Sequence, residues 1–146
     1  MTKPPSLKAK HKSVLFLCTG NSCRSQIAEA IINARLGDQW RAFSAGTQPS
    51  GYVHPLALKA LEEIGILHMG ASKNVSEYVE MNFDLVITVC DDAAESCPAW
   101  LGKGEIVHLG FVDPAKATGT EAEQFKIFRK VRDQIEELIL GYLAEL

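Results

Sequence analysis

No apolar run in the sequence approaches the roughly 20 residues that span a bilayer. The basic opening stretch MTKPPSLKAKHK, with four lysines and two prolines, is not followed by the apolar core of a secretory signal. Membrane insertion and standard secretion are therefore not expected, and a cytoplasmic location is. Charge of one sign is also missing. A net charge of −3 over 146 residues gives no global pull toward nucleic acid or an acidic membrane surface. Tight C-x2-C pairs are absent too. The four cysteines, Cys18, Cys23, Cys90 and Cys97, are spaced C-x4-C and C-x6-C, unlike structural zinc sites, and His11, His54, His68 and His108 show no metal spacing. A chain of this length buries a core without disulfide staples, so the cysteines are expected to be thiols.

Short, nearly continuous apolar runs alternate with helical patterns. SVLFLC (13–18) reads as a strand buried on both faces, followed by the turn TGNS. From Arg24 to Leu36, residues Ala28, Ile31, Ile32 and Leu36 recur at helical spacing, with Gly37 as a stop. A second strand is expected at Arg41–Ala45 and a helix at Pro55–Ile64, with proline in its first turn. DLVITVC (84–90) reads as an internal parallel strand closed by a cysteine, and EIVHL (105–109) as a weaker fourth. Phe125, Phe128, Val131, Ile135, Leu138 and Tyr142 define a long amphipathic C-terminal helix. The alternation predicts one three-layer α/β domain over 13–146 with a four-stranded parallel sheet, preceded by a disordered basic tail over 1–12. In such a sheet ligands bind beyond the carboxyl ends of the strands, where Cys18, Cys90 and Asp113 fall.

Cys18-Thr-Gly-Asn-Ser-Cys-Arg24-Ser25 is a C-x5-R-S loop between a buried strand and a helix start. Such a loop turns successive backbone N–H groups around a small concavity, and the helix N-terminus adds partial positive charge. A tetrahedral oxyanion is the natural guest of Thr19, Gly20, Asn21, Ser22, Cys23, Arg24 and Ser25, with Arg24 clamping two of its oxygens. The same field favours thiolate at Cys18, an activated nucleophile, and Ser25 is positioned to hydrogen-bond that sulfur. The Cys23 thiol has no chemical task and reads as packing or a bystander.

NSCRSQ, with GTQP and the later Asp113-Pro114, resembles the low-molecular-weight protein tyrosine phosphatases and, more closely, the thioredoxin-coupled arsenate reductases built on that fold. The match runs over nearly the whole chain from Ser13. The resemblance implies that Cys18 attacks arsenate and forms a covalent adduct. Cys90 then attacks Cys18 and releases arsenite, Cys97 attacks Cys90, and thioredoxin reduces the Cys90–Cys97 bond. It also implies Asp113 as general acid. In some members a potassium ion sits near positions matching Asn21, Glu29 and Ser44. Here GASKN departs from the pattern and offers the Lys73 ammonium instead. No tightly bound cofactor is otherwise implied.

If residues 90–97 were helical, a rise of ~1.5 Å per residue would separate the two Cα atoms by roughly 10 Å, whereas a disulfide wants about 4.4–6.8 Å. The segment would have to unwind to oxidise. DDAAES is acidic and has no bulky apolar anchor, so unwinding should be cheap. Two other readings stay open: a phosphatase acting on phosphotyrosine or a small phosphoester, and a non-enzymatic redox-sensing or anion-binding module. DPAKATG carries no aromatic residue to grip a phosphotyrosine ring, which weighs against the phosphatase.

Overall fold

Strand β1 (Lys12–Cys18) sits inside the sheet because both of its faces are apolar: Val14, Phe16 and Cys18 alternate with Leu15 and Leu17, and all five are buried. It pairs in parallel with β2 (Trp40–Gly46) on one side and β3 (Asn82–Thr88) on the other. Strand β4 (Lys103–His108) extends the sheet, giving the order β2-β1-β3-β4, all parallel as expected. In this computed structural model residues 11–91, 100 and 102–146 are described.

Three α-helices occur among the described residues: α1 (Arg24–Arg35), α2 (Pro55–Glu63) and α3 (Glu121–Ala144). Ile27, Ile31 and Ile32 of α1, Leu61 of α2 and the Phe128, Ile135, Ile139 and Leu143 stripe of α3 share one core with Val14, Phe16 and Ile87. The opposite sheet face buries Leu15, Leu17, Ala45 and Val86 under Phe83 and Trp100, with Val75 and Tyr78 packed beside them. Helices, sheet and this thinner cover make up the three layers. Thr120 and Glu123 start α3 with a reciprocal capping box. Buried Arg132 ties α3 to the end of α2, donating to the Ala60 carbonyl at 2.8 Å and to Glu63 at 2.7 Å. Hydrogen bonds from Arg129 and then Arg132 hold the Glu63 carboxyl down at about 2.

Several boundaries differ from expectation by one or two residues, β4 (Lys103–His108 rather than 105–109) among them, and two of the shifts have identifiable reasons. Strand β1 takes in Lys12, assigned above to the tail, because its N–H reaches the Gln39 carbonyl at 3.0 Å and its ammonium lies 5.6 Å from the Trp40 ring centroid. Of the rest of the expected tail, His11 precedes the strand and 1–10 lies outside the described residues. Strand β3 ends at Thr88 rather than Cys90. The ladder with β4 slips by one residue there: Leu109 N–H bonds the Thr88 carbonyl in regular register, but the next bond, from Phe111 N–H, goes to Val89.

Strand β2 is an edge, and outward backbone groups at Trp40, Ala42 and Gly46 are covered from within the chain. The Trp40 N–H bonds the Leu36 carbonyl, and the Gly46 N–H bonds that of Lys73, both at 2.9 Å. Asn33 of α1 imitates a neighbouring strand at Ala42, accepting from its N–H at 2.9 Å and donating to its carbonyl at 3.1 Å. Asn33→Leu removes both bonds and is expected to lower unfolding free energy by about 1 kcal/mol, measured by urea titration. An unchanged midpoint would show that water replaces the amide without loss.

Candidate active site

The loop 19–22 is held open by its own carbonyls. Thr19 O accepts from Gln48 N–H and Gly20 O from Ser50 N–H, both at 2.9 Å, and Ser22 O accepts from His54 N–H at 3.1 Å. The Asn21 carbonyl takes the Gln26 side-chain amide at 3.2 Å. With the carbonyls tied outward, the amides turn to the concave side, where Asn21 N–H points at Cys18 Sγ at 3.3 Å. Asn21 has φ 48, the only positive value among the described non-glycine residues. It is locked there by its side chain: Oδ1 accepts from Gln26 Nε2 at 3.0 Å and Lys73 N–H at 2.8 Å, and Nδ2 donates to Ser25 Oγ at 2.8 Å. His68 Nε2 sits 2.7 Å from Gln26 Oε1 and fixes that amide in turn.

Because Ser25 Oγ already accepts from Asn21, its own O–H is free to donate to Cys18 Sγ, 2.9 Å away. The expected Ser25 contact is therefore present. Helix α1 begins with Cys23 as N-cap, which supplies no side-chain acceptor for the first-turn N–H groups. They face the loop and are suited to an anion. Strand β2 closes the floor at Gly46, where any Cβ would be driven into the Thr19 carbonyl and lie 3.0 Å from both Asn21 N and Cys18 O.

Cys18, Gly20, Ser22, Cys23 and Arg24 line a cavity of about 190 Å³ together with Ser50, Tyr52, His54, Asp113 and Ala115. Buried Arg24 donates to the Phe111 carbonyl at 3.2 Å and faces Asp113 Oδ2 at 3.5 Å. Asp113 Oδ1 caps the short 3-10 turn Pro114–Lys116 by accepting from Ala115 N–H at 3.0 Å. The expected nucleophile, clamp and acid thus converge. Burial, reinforced by the charges of Asp113 and Cys18, pushes the Cys23 thiol up to about 12, so it stays protonated, in keeping with a bystander. Tyr52, about half exposed, supplies an aromatic rim missing from DPAKATG; no local sequence signal marks it. His54, expected only to shape a loop, caps α2 through Nδ1 and faces the cavity.

Cys90 lies buried two residues beyond β3. It is disulfide-bonded, whereas Cys18 and Cys23 are free thiols. The expectation that all four cysteines are thiols therefore fails at Cys90. Cys97, and with it the DDAAES segment, lies outside the described residues.

The oxygens considered for potassium are engaged by the chain itself. Glu29 Oε1 accepts from Ser44 Oγ at 2.5 Å and lies 3.8 Å from the Lys73 ammonium, and Asn21 Oδ1 is saturated as described. The Lys73 ammonium thus stands beside the carboxylate to which a potassium ion would be drawn.

The sequence pattern of the family described as "Low molecular weight phosphotyrosine protein phosphatase" matches residues 13–146. An arsenate reductase of Halalkalibacterium halodurans is 48% identical over 129 residues, covering 88% of this chain and 92% of that protein. One of Bacillus subtilis is 45% identical over 127 residues, covering 86% and 91%. Among solved structures, an arsenate reductase in the oxidized state superposes with a TM-score of 0.73 at 28% identity, covering 92% of this chain and 98% of that one. A low molecular weight protein tyrosine phosphatase from T. tengcongensis does so with 0.71 at 26%, covering 92% and 99%.

Ser25→Ala removes the donor to Cys18 Sγ. It is expected to slow alkylation of Cys18 by iodoacetamide at pH 7 by about 10- to 100-fold, the worth of a hydrogen bond to a charged atom. An unchanged rate would show that the Ser25 hydroxyl does not set the reactivity of Cys18. A second expectation concerns acid. Burial holds the His54 and His68 imidazoles below their ordinary 6.5, against an opposing pull from Asp113 on His54 and from Glu29 on His68. Their neutral forms favour the fold, so this stability is complete above about 6.5 and is lost as pH falls toward the folded-state values. The melting temperature should therefore decline below pH 6.5, and His54→Asn, which keeps a capping side chain but does not titrate, should flatten part of that slope.

Proposed function

The chain belongs to the low molecular weight phosphotyrosine protein phosphatase family, and from that membership we propose that it is an arsenate reductase whose thiols pass oxidation from Cys18 to Cys90 to Cys97 and then to thioredoxin. The observation that carries the reading is the convergence of a hydrogen-bonded Cys18 Sγ, Arg24 and Asp113 on one small oxyanion-sized cavity. The near-half identity to arsenate reductases narrows the anion to arsenate.

Cys18 thiolate attacks arsenic(V), held by the loop amides and the Arg24 guanidinium, and one arsenate oxygen leaves as water with a proton from Asp113. Cys90 thiolate then attacks Cys18 Sγ. The sulfur–arsenic bond breaks, its electron pair stays on arsenic, and arsenite leaves as arsenic(III) while two thiols become one disulfide. Cys97 takes over the bond to Cys90 by thiol–disulfide exchange, which frees Cys18. A disulfide at Cys90 beside free Cys18 supports this order, since it matches the state in which the oxidation has left the nucleophile. Thioredoxin then supplies two electrons. The Lys73 ammonium beside Glu29 and Ser44 takes the part of a potassium ion, so no added potassium is needed. We infer action in the cytoplasm, where a thioredoxin pool reduces such bonds; no described helix is long and apolar enough to cross a membrane. Tyr52 at the cavity rim favours a second, slower activity on aromatic phosphate monoesters.

Fully reduced protein mixed with arsenate and no reductant is expected to release one arsenite and lose two thiols per chain. Phosphoester turnover with unchanged thiols after arsenate would overturn the reductase reading in favour of a phosphatase. Cys97→Ser is expected to stop after one turnover at a Cys18–Cys90 disulfide, read by peptide mapping. Full multiple turnover of that variant with thioredoxin would remove Cys97 from the relay.

A further inference from the structure

His54 is a polar side chain at the cavity to which the reductase chemistry gives no task. Its backbone N–H is bonded to the loop at the Ser22 carbonyl, 3.1 Å away, and its ring rests on Phe128 with centroids 4.7 Å apart. Both ends of the residue are thereby fixed, and the imidazole lines the same cavity as Cys18, Arg24 and Asp113. Nδ1 accepts the Leu56 N–H of α2 at 3.1 Å. That bond commits the Nδ1 lone pair, so the neutral ring carries its proton on Nε2. Short side chains such as Ser, Asp or Asn cap helices as well or better. What histidine adds is a second polar atom on the far side of the ring, a donor whose tautomer and orientation are set before any ligand arrives.

Resting on the oxyanion reading above, we propose that His54 is a substrate-binding residue whose Nε2–H donates a hydrogen bond to an outer oxygen of the tetrahedral anion, one turned away from Cys18 Sγ. The loop amides and Arg24 serve the oxygens nearer the sulfur. A tetrahedral anion seated on the loop also directs an oxygen toward the mouth, and there the chain offers Asp113, which repels an anion unless protonated, and His54, which attracts one. Because the donor comes from the start of α2 rather than from the loop, it adds affinity for a small inorganic oxyanion without using the aromatic rim at Tyr52.

The test separates the cap from the ligand. Inorganic phosphate serves as a probe that binds without being reduced, and its affinity is measured by titration calorimetry on the full chain at pH 7.5. His54→Asn keeps a capping side chain and is expected to melt with the wild type yet bind phosphate roughly tenfold more weakly. Its KM for arsenate should rise by the same factor while kcat stays within about twofold. His54→Ala should show the same weakening and, in addition, melt about 3 °C lower through loss of the cap. Phosphate binding within twofold of wild type in both variants would overturn the proposal and leave His54 a cap alone. A wild-type chain that binds phosphate but forms no arsenite would sink the reductase reading instead, and the phosphate comparison would still decide the role of His54.

Discussion

The site depends on one backbone conformation, the left-handed turn at Asn21. An L-residue there costs energy that glycine would avoid, yet glycine would supply no side chain. The Asn21 amide is what joins Ser25, Gln26 and the Lys73 backbone into a single network. That network aims the Asn21 N–H and the Ser25 hydroxyl at Cys18 Sγ. Gly46 is the matching constraint on the sheet side, since only a residue without Cβ lets β2 close against the loop. Strain at one residue is offset by several buried hydrogen bonds around it, a distribution typical of functional loops. The cavity therefore has its shape before any anion enters, which lowers the ordering cost of binding.

Much of this was legible in the sequence, and the reasons are local. SVLFLC marks a doubly buried strand because no polar residue interrupts it, and the sheet bears this out with β1 between two partners. The C-x5-R-S spacing carries the loop and its nucleophile, because strand end, turn and helix start are consecutive. Asp113 was within reach for a similar reason, standing just beyond a strand whose end lies on the same sheet edge.

What stayed hidden arises from contacts between segments distant in the chain. The sequence has nothing to say that Tyr52 and His54 would come over the loop 19–22; that follows from the bonds between the 48–54 segment and the loop carbonyls. The end of β3 was misjudged by two residues because apolar character continues through Val89 and Cys90 while the ladder slips out of register. A sequence pattern records burial well and register poorly. The Lys73 ammonium was visible as a departure from the resemblance, but its partner required the structure, in which Glu29 of α1 meets the end of β2 and the 71–74 segment.

The covering of the β2 edge reaches beyond the fold itself. Trp40, Ala42 and Gly46 would otherwise offer a row of unused donors and acceptors, the template on which a strand from another molecule adds. Leu36, Asn33 and Lys73 take up donors and acceptors of that row, so the edge nearest the reactive loop offers less to intermolecular pairing. On that side the chain itself, and not a neighbouring molecule, takes up the backbone groups that strand addition would use.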